Sequence, residues 1–161
     1  MTARGSACAP PGAAPAFAYT LTFFAFFAHT LSELIAGLPG WAAAHGVPVD
    51  TAQYANATAL LTLAAAALLL LGRTRQFNRP VQIAVAGLCG ALLANVGFHL
   101  AASLLTWSQM PGLLTAFVLV GPSATWLLAR LPLDRRTKTI AGLSGAGAMP
   151  LLAGFALLIA G

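Results

Sequence analysis

The sequence predicts an all-α fold, an integral membrane bundle of five transmembrane helices. Three observations carry that prediction. Of the 161 residues, 59% are hydrophobic and only 7% are charged, against about 25% charged in a soluble domain. Five apolar runs punctuate the chain, each near the roughly 20 residues that span a hydrocarbon core as helix. The basic residues gather between alternate runs and are missing from the other connections. The net charge of +5 therefore points away from nucleic acid. These bases act as orientation signals and as contacts for anionic lipid headgroups.

The spans lie at 15–38, 51–71, 80–106, 111–130 and 139–160. Pro15, Pro80 and Pro111 open the first, third and fourth, where the missing proline N–H costs nothing. Pro122 and Pro150 fall inside the last two spans and are expected to kink or locally unwind them. Residues 1–14, rich in Ala, Pro and Gly, read as a disordered tail, so 15–161 form one five-span domain. Ala42-Ala43-Ala44 resembles a signal-cleavage site, with Arg4 as its positive end. The apolar stretch before it is too long for that role, and it carries His29 and Glu33. Cys8 falls in the tail and Cys89 in mid-span, so no disulfide between them is expected.

Arg73, Arg75 and Arg79 fill the connection between spans two and three; Arg130, Arg135, Arg136 and Lys138 fill that between four and five. With Arg4, every base falls on one side of a five-span layout. The positive-inside rule then places the N-terminus in the cytoplasm and the C-terminus outside, in a multi-pass protein of the cell membrane. Trp41 and Trp107 stand at the outer ends of spans one and three, where an aromatic belt belongs. Gly142, Gly145, Gly147 and Gly154 give the last span small faces. Those faces suit packing within the bundle or, alternatively, a homo-oligomer seam.

Ionisable groups inside such spans are costly and default to functional candidates. His29 and Glu33 are four residues apart and share a helix face. Asn95 and His99 repeat that spacing in the third span. Asn56 and Thr115 enter from spans two and four. At ~1.5 Å of rise per residue, all six fall in the outer half of a core ~30 Å thick. The expectation is a polar chamber opening outward above a plain apolar lower half. Gln53, Tyr54 and Asn56 either rim that chamber or cap span two, while His45 and Asp50 read as solvated loop residues.

The segments His29-Thr30-Leu31-Ser32-Glu33 and Leu38-Pro39-Gly40-Trp41, then Asn95-Val96-Gly97-Phe98-His99 and Pro111-Gly112-Leu113-Leu114-Thr115, resemble the bacterial membrane family named for its H-x-x-E-E motif. The likeness covers spans one, three and four. Ser32 departs from the pattern by replacing the first Glu, which leaves Glu33 alone. The resemblance implies the fold and the site more than an activity.

The residues themselves admit three chemistries. The first is an intramembrane enzyme, a hydrolase or isomerase, acting on a lipid or other hydrophobic small molecule. There His29, Glu33, Asn95 and His99 would be catalytic: His29 and Glu33 exchange the proton, His99 is a second acid or base, and Asn95 orients substrate or a developing oxyanion. Thr115 and Asn56 would bind substrate. The second is a metal site, in which His29, Glu33 and His99 supply the ligand set of a divalent ion such as zinc; a haem between His29 and His99 belongs to the same class. The third is a small proton- or ion-coupled transporter, or a pH sensor, built on the same cluster.

Overall fold

The computed structural model describes residues 13–161. The expected tail therefore lies almost wholly outside the described residues, with Arg4 and Cys8. Ala14, at its end, is already packed into the core and 2% exposed.

Six helices follow. Helix α1 (Ala16–Ile35) is shorter than the first apolar run, because Gly37 turns left-handed at φ 74° and restarts the chain as a short α2 (Leu38–Ala44). That second helix was not apparent in the sequence. Helix α3 (Thr51–Thr74) is capped by Asp50, whose carboxylate accepts from the amides of Ala52 and Gln53. This satisfies donors that the first turn leaves unpaired. Helix α4 (Arg79–Leu105) carries Pro80 in its first turn and an Asn78 cap.

Helix α5 (Leu113–Arg130) follows a left-handed Gly112 and contains a π-helical stretch at Ala116–Val120. The widened turn stands immediately before Gly121 and Pro122. Pro122 offers no N–H to the preceding turn, so the helix unwinds there as expected. Helix α6 (Arg135–Ala160) begins earlier than its apolar run because Asp134 caps it, accepting from the Thr137 amide at 2.9 Å. Pro150 sits inside α6 and leaves it continuous.

Five of these helices are long and apolar enough to cross a membrane. Their outer faces carry large apolar side chains such as Leu63, Leu143, Phe155 and Leu158, each more than half exposed. The core beneath is small: Tyr19, Leu69, Val85, Cys89 and Leu127 meet at its centre.

The bundle has a basic end and an opposite end. Arg73 on α3 donates to Thr20 on α1 at 3.2 Å, and Arg79 on α4 meets Asp134 and Thr137 at the start of α6. At the opposite end the Gln53 amide donates to the Leu157 carbonyl at 2.8 Å, tying α3 to α6. Helices α4 and α6 share the most extensive packing in the molecule. They approach so closely that a Cβ added at Gly90 would strike the Gly142 backbone, and one at Gly145 would strike that of Gly87. Two of the four α6 glycines are thus spent inside the bundle, as small-residue packing predicts; around Gly147 and Gly154 there is open space.

The half nearer the arginines is not plain. Tyr19 donates to the Gln82 side-chain carbonyl at 2.7 Å, and the Gln82 amide donates to the carbonyls of Gly72 at 2.9 Å and Arg75 at 3.2 Å. Thr22 and Ser123 are buried nearby. The expectation of an apolar lower half fails here because the C-terminal turn of α3 leaves carbonyls that need donors.

Candidate functional site

Helix α1 ends on the face that carries His29 and Glu33, one turn apart and both buried. Their contact is direct, His29 Nε2 to Glu33 Oε1 at 3.3 Å. Helix α4 brings His99, whose Nε2 lies 2.8 Å from the same carboxylate oxygen. The other oxygen accepts from the Tyr54 hydroxyl on α3 at 2.8 Å. Three helices thus converge on one carboxylate, and both of its oxygens are engaged.

A second tier holds the rings. Asn95 places its amide 2.9 Å from His29 Nε2, and His29 Nδ1 meets the Thr115 hydroxyl at 3.1 Å. Ser32 lies 2.7 Å from that hydroxyl and donates to the His29 carbonyl at 2.7 Å. Two neighbours, Asn95 and Glu33, therefore compete for His29 Nε2. If Nε2 is bare, it accepts from Asn95 and the Nδ1–H donates to Thr115. If Nε2 carries the proton, it donates to Glu33, and the Asn95 amide must turn its oxygen inward. One proton switches the network between these states. On His99 the Nε2–H that serves Glu33 leaves Nδ1, a buried atom with no partner among the described residues. An orphan of this kind calls for a ligand, an ion or water.

Gly112 closes the cluster. It adopts φ 87°, and a Cβ there would come within 2.6 Å of Glu33 Cγ and 3.1 Å of both imidazole rings. Only glycine allows the backbone so near.

The cluster stands at one end of a cavity of about 420 Å³. Glu33, Tyr54, Asn95 and His99 form its polar end; Leu61, Ala65, Leu88 and Leu92 continue it between the helices. Among the described residues, no lysine or arginine lines it.

Four of the expected catalytic residues, His29, Glu33, Asn95 and His99, are thereby brought together, and Thr115 joins them through His29. Asn56 does not. It is exposed on α3, two residues from Tyr54 and so about 200° around the helix. The residue that faces the site is Tyr54, one of the three considered as a rim. His45 stays in the exposed segment between α2 and α3, its Nδ1 2.7 Å from the Trp41 carbonyl, and Trp107 is 94% exposed. Cys89 is free and buried in the core.

The donor set suits a divalent ion. Ligand atoms of His29, Glu33 and His99 lie within 4.8 Å of one another, and two imidazoles with one carboxylate form a familiar catalytic zinc set. Thr115 on His29 Nδ1 is the outer hydrogen bond such a ligand needs; His99 Nδ1 has none. A haem between the two rings does not fit. Their centroids are 4.9 Å apart and Glu33 Oε1 contacts both, which leaves no space for a porphyrin plane.

Fold and site together define a class: a small all-α bundle of apolar helices with a buried two-histidine, one-carboxylate cluster at the head of an apolar cavity. Residues 20–127 match the family described as "Protein of unknown function with HXXEE motif", and the chain belongs to that family. No curated protein and no solved structure matches it. At the motif position held by Ser32, the side chain points to Thr115 and the α1 backbone, while the Glu33 carboxylate receives the two histidines.

Proposed function

We propose that this chain is a multi-pass protein of the cell membrane that performs acid–base chemistry, hydrolysis or isomerisation, on a hydrophobic small molecule. The observation that carries the reading is the Glu33–His99–His29 cluster, buried yet opening on an apolar cavity. The apolar outer faces of α3 and α6 support insertion, since leucines and phenylalanines exposed in such numbers need an apolar solvent. The arginines collected at one end support a cytoplasmic N-terminus and an external C-terminus, which puts the cluster in the outer half of the bilayer.

Within the site, the Glu33 oxygens face the Nε2 atoms of His29 and His99 and the Tyr54 phenol. His99 can therefore pass its Nε2 proton to Glu33 as its Nδ1 gains one from substrate, and the reverse transfer returns it. His29 sets the charge of Glu33 through the proton that Asn95 and Thr115 position. Asn95, at the cavity wall, is placed to donate to a developing oxyanion.

The test is product formation from membrane lipid extracts by the reconstituted protein, followed by mass spectrometry. Glu33→Gln should remove it, by roughly 10²–10⁴-fold for a lost acid–base group. Ion flux into vesicles with no chemical product would replace this reading by transport.

The ligand-atom spacing favours one second reading, in which His29, Glu33 and His99 hold a divalent ion such as zinc that polarises the substrate or activates water. A stoichiometric metal in the purified protein, lost in His99→Ala, would select it.

A further inference from the structure

The same cavity restricts its ligand more than acid–base chemistry alone requires. Helices α4 and α6 are pinned together at Gly87 and Gly90 against Gly142 and Gly145. Helices that cross so closely must diverge away from the crossing. The cavity occupies the resulting wedge, along α4 from Leu88 to His99. Eleven residues of helix rise give a slot ~16 Å long, and about 420 Å³ is within the range of small-ligand sites. Its ionisable groups, with Asn95, lie at one end only, and Thr30 and Thr58 are the other polar side chains that line it. Phe98, Pro150 and Leu152 line it and are also exposed, so its opening is lateral, on the apolar flank of the bundle.

The polar end constrains charge. With no lysine or arginine among the described residues of the wall, an anionic head would be buried beside Glu33 without a counter-charge, at high cost. A cationic head would have to displace donors from a carboxylate whose two oxygens already receive His29, His99 and Tyr54. What the site lacks among the described residues is a donor for His99 Nδ1, which is buried.

We infer that the cavity binds a single-chain, uncharged amphipath with a hydroxyl head, a long-chain alcohol, which enters sideways from the lipid between α4 and α6. The hydroxyl donates to His99 while the chain lies along Leu61, Ala65 and Leu88. This rests on the reading of the cavity as the substrate's site, but its test is binding rather than turnover.

The probe is a dodecanol carrying a photoactivatable diazirine at the far end of its chain, added to the full-length protein in lipid nanodiscs. Labelled peptides are mapped, and dodecanol, dodecanoate and dodecylamine are compared as competitors. Label is expected at the α3 and α4 segments around Ala65 and Leu88, with dodecanol competing several-fold better than either charged analogue. Ala57→Phe and Ala153→Phe each fill the slot from a different helix and should each cut labelling several-fold; having both protects against one misfolding. Equal competition by dodecanoate or dodecylamine would overturn the inference. So would undiminished labelling in both filled variants at an unchanged Tm. A Glu33→Gln protein that still forms product would instead remove the acid–base reading and leave the ligand class standing.

Discussion

Two buried polar clusters occupy opposite halves of this bundle, and their differences separate packing from chemistry. At the basic end, Tyr19, Gln82 and the carbonyls of Gly72 and Arg75 form a closed set with each donor matched to an acceptor. None of the Gln82 side-chain polar atoms titrates. A Cβ at Gly72 would press on Val85 and Tyr19 at 2.7 and 2.9 Å, so this region is tightly filled. At the other end, three ionisable side chains share one carboxylate, one ring nitrogen has no partner among the described residues, and a cavity adjoins them. Burial and polarity are common to both. What distinguishes the site is incomplete satisfaction beside empty space, an arrangement that packing alone would eliminate.

The comparison can be broken most sharply at Glu33. Glu33→Gln should abolish product formation while the protein remains folded, whereas Gln82→Leu should do the opposite. The latter strands the Tyr19 hydroxyl and two carbonyls, which costs about 1–3 kcal/mol for each group left unsatisfied, with turnover per folded molecule intact. Thermal unfolding in detergent beside the product assay reads both. If Gln82→Leu lost activity at wild-type stability, the two clusters would be coupled and the distinction would fall.

Gly90→Val comes next. A branched side chain driven into the Gly142 backbone should cost about 1–3 kcal/mol as overpacking and should shift the α4–α6 crossing that shapes the cavity. Reduced Tm together with reduced probe binding is the expected pair of results. Tyr54→Phe is milder: the loss of one hydrogen bond to a carboxylate is worth about 1.5–3 kcal/mol, and Glu33 keeps both histidines, so activity should fall without being abolished. Smallest is Ser32→Ala. Its hydroxyl touches Thr115 and the backbone rather than the carboxylate, so the change should cost about 0.5–1.5 kcal/mol and leave turnover near wild type. A large loss there would move Ser32 into the chemistry.

Much of the site was legible from residue spacing. His29 with Glu33 and Asn95 with His99 each lie one helical turn apart, and a turn is a local property that the chain carries without knowing its neighbours. Tyr54 was visible only as one of three rim candidates, because choosing it over Asn56 requires the rotation of α3 about its axis. That rotation is set by what α3 packs against. Gln82 went unread for a related reason: its partners are carbonyls exposed at the end of α3, and a sequence does not display unpaired backbone. The short α2 begins where the first apolar run ends, at Leu38 after the left-handed Gly37, in a stretch with Pro39 and Gly40 that reads as connection.

By itself, then, the sequence determined the number of apolar helices, the gathering of the arginines, and the two polar helix faces. These follow from periodicity, hydropathy and local hydrogen bonding, which act within a few residues. Only the tertiary structure decided that both faces meet on one carboxylate, that Tyr54 completes it, that His99 keeps a nitrogen unpaired, and that the Gly87/Gly90 crossing with Gly142/Gly145 opens a cavity beside them. Those outcomes depend on where one helix stands against another, and that is fixed by the sum of many weak contacts across the bundle rather than by any segment of the chain.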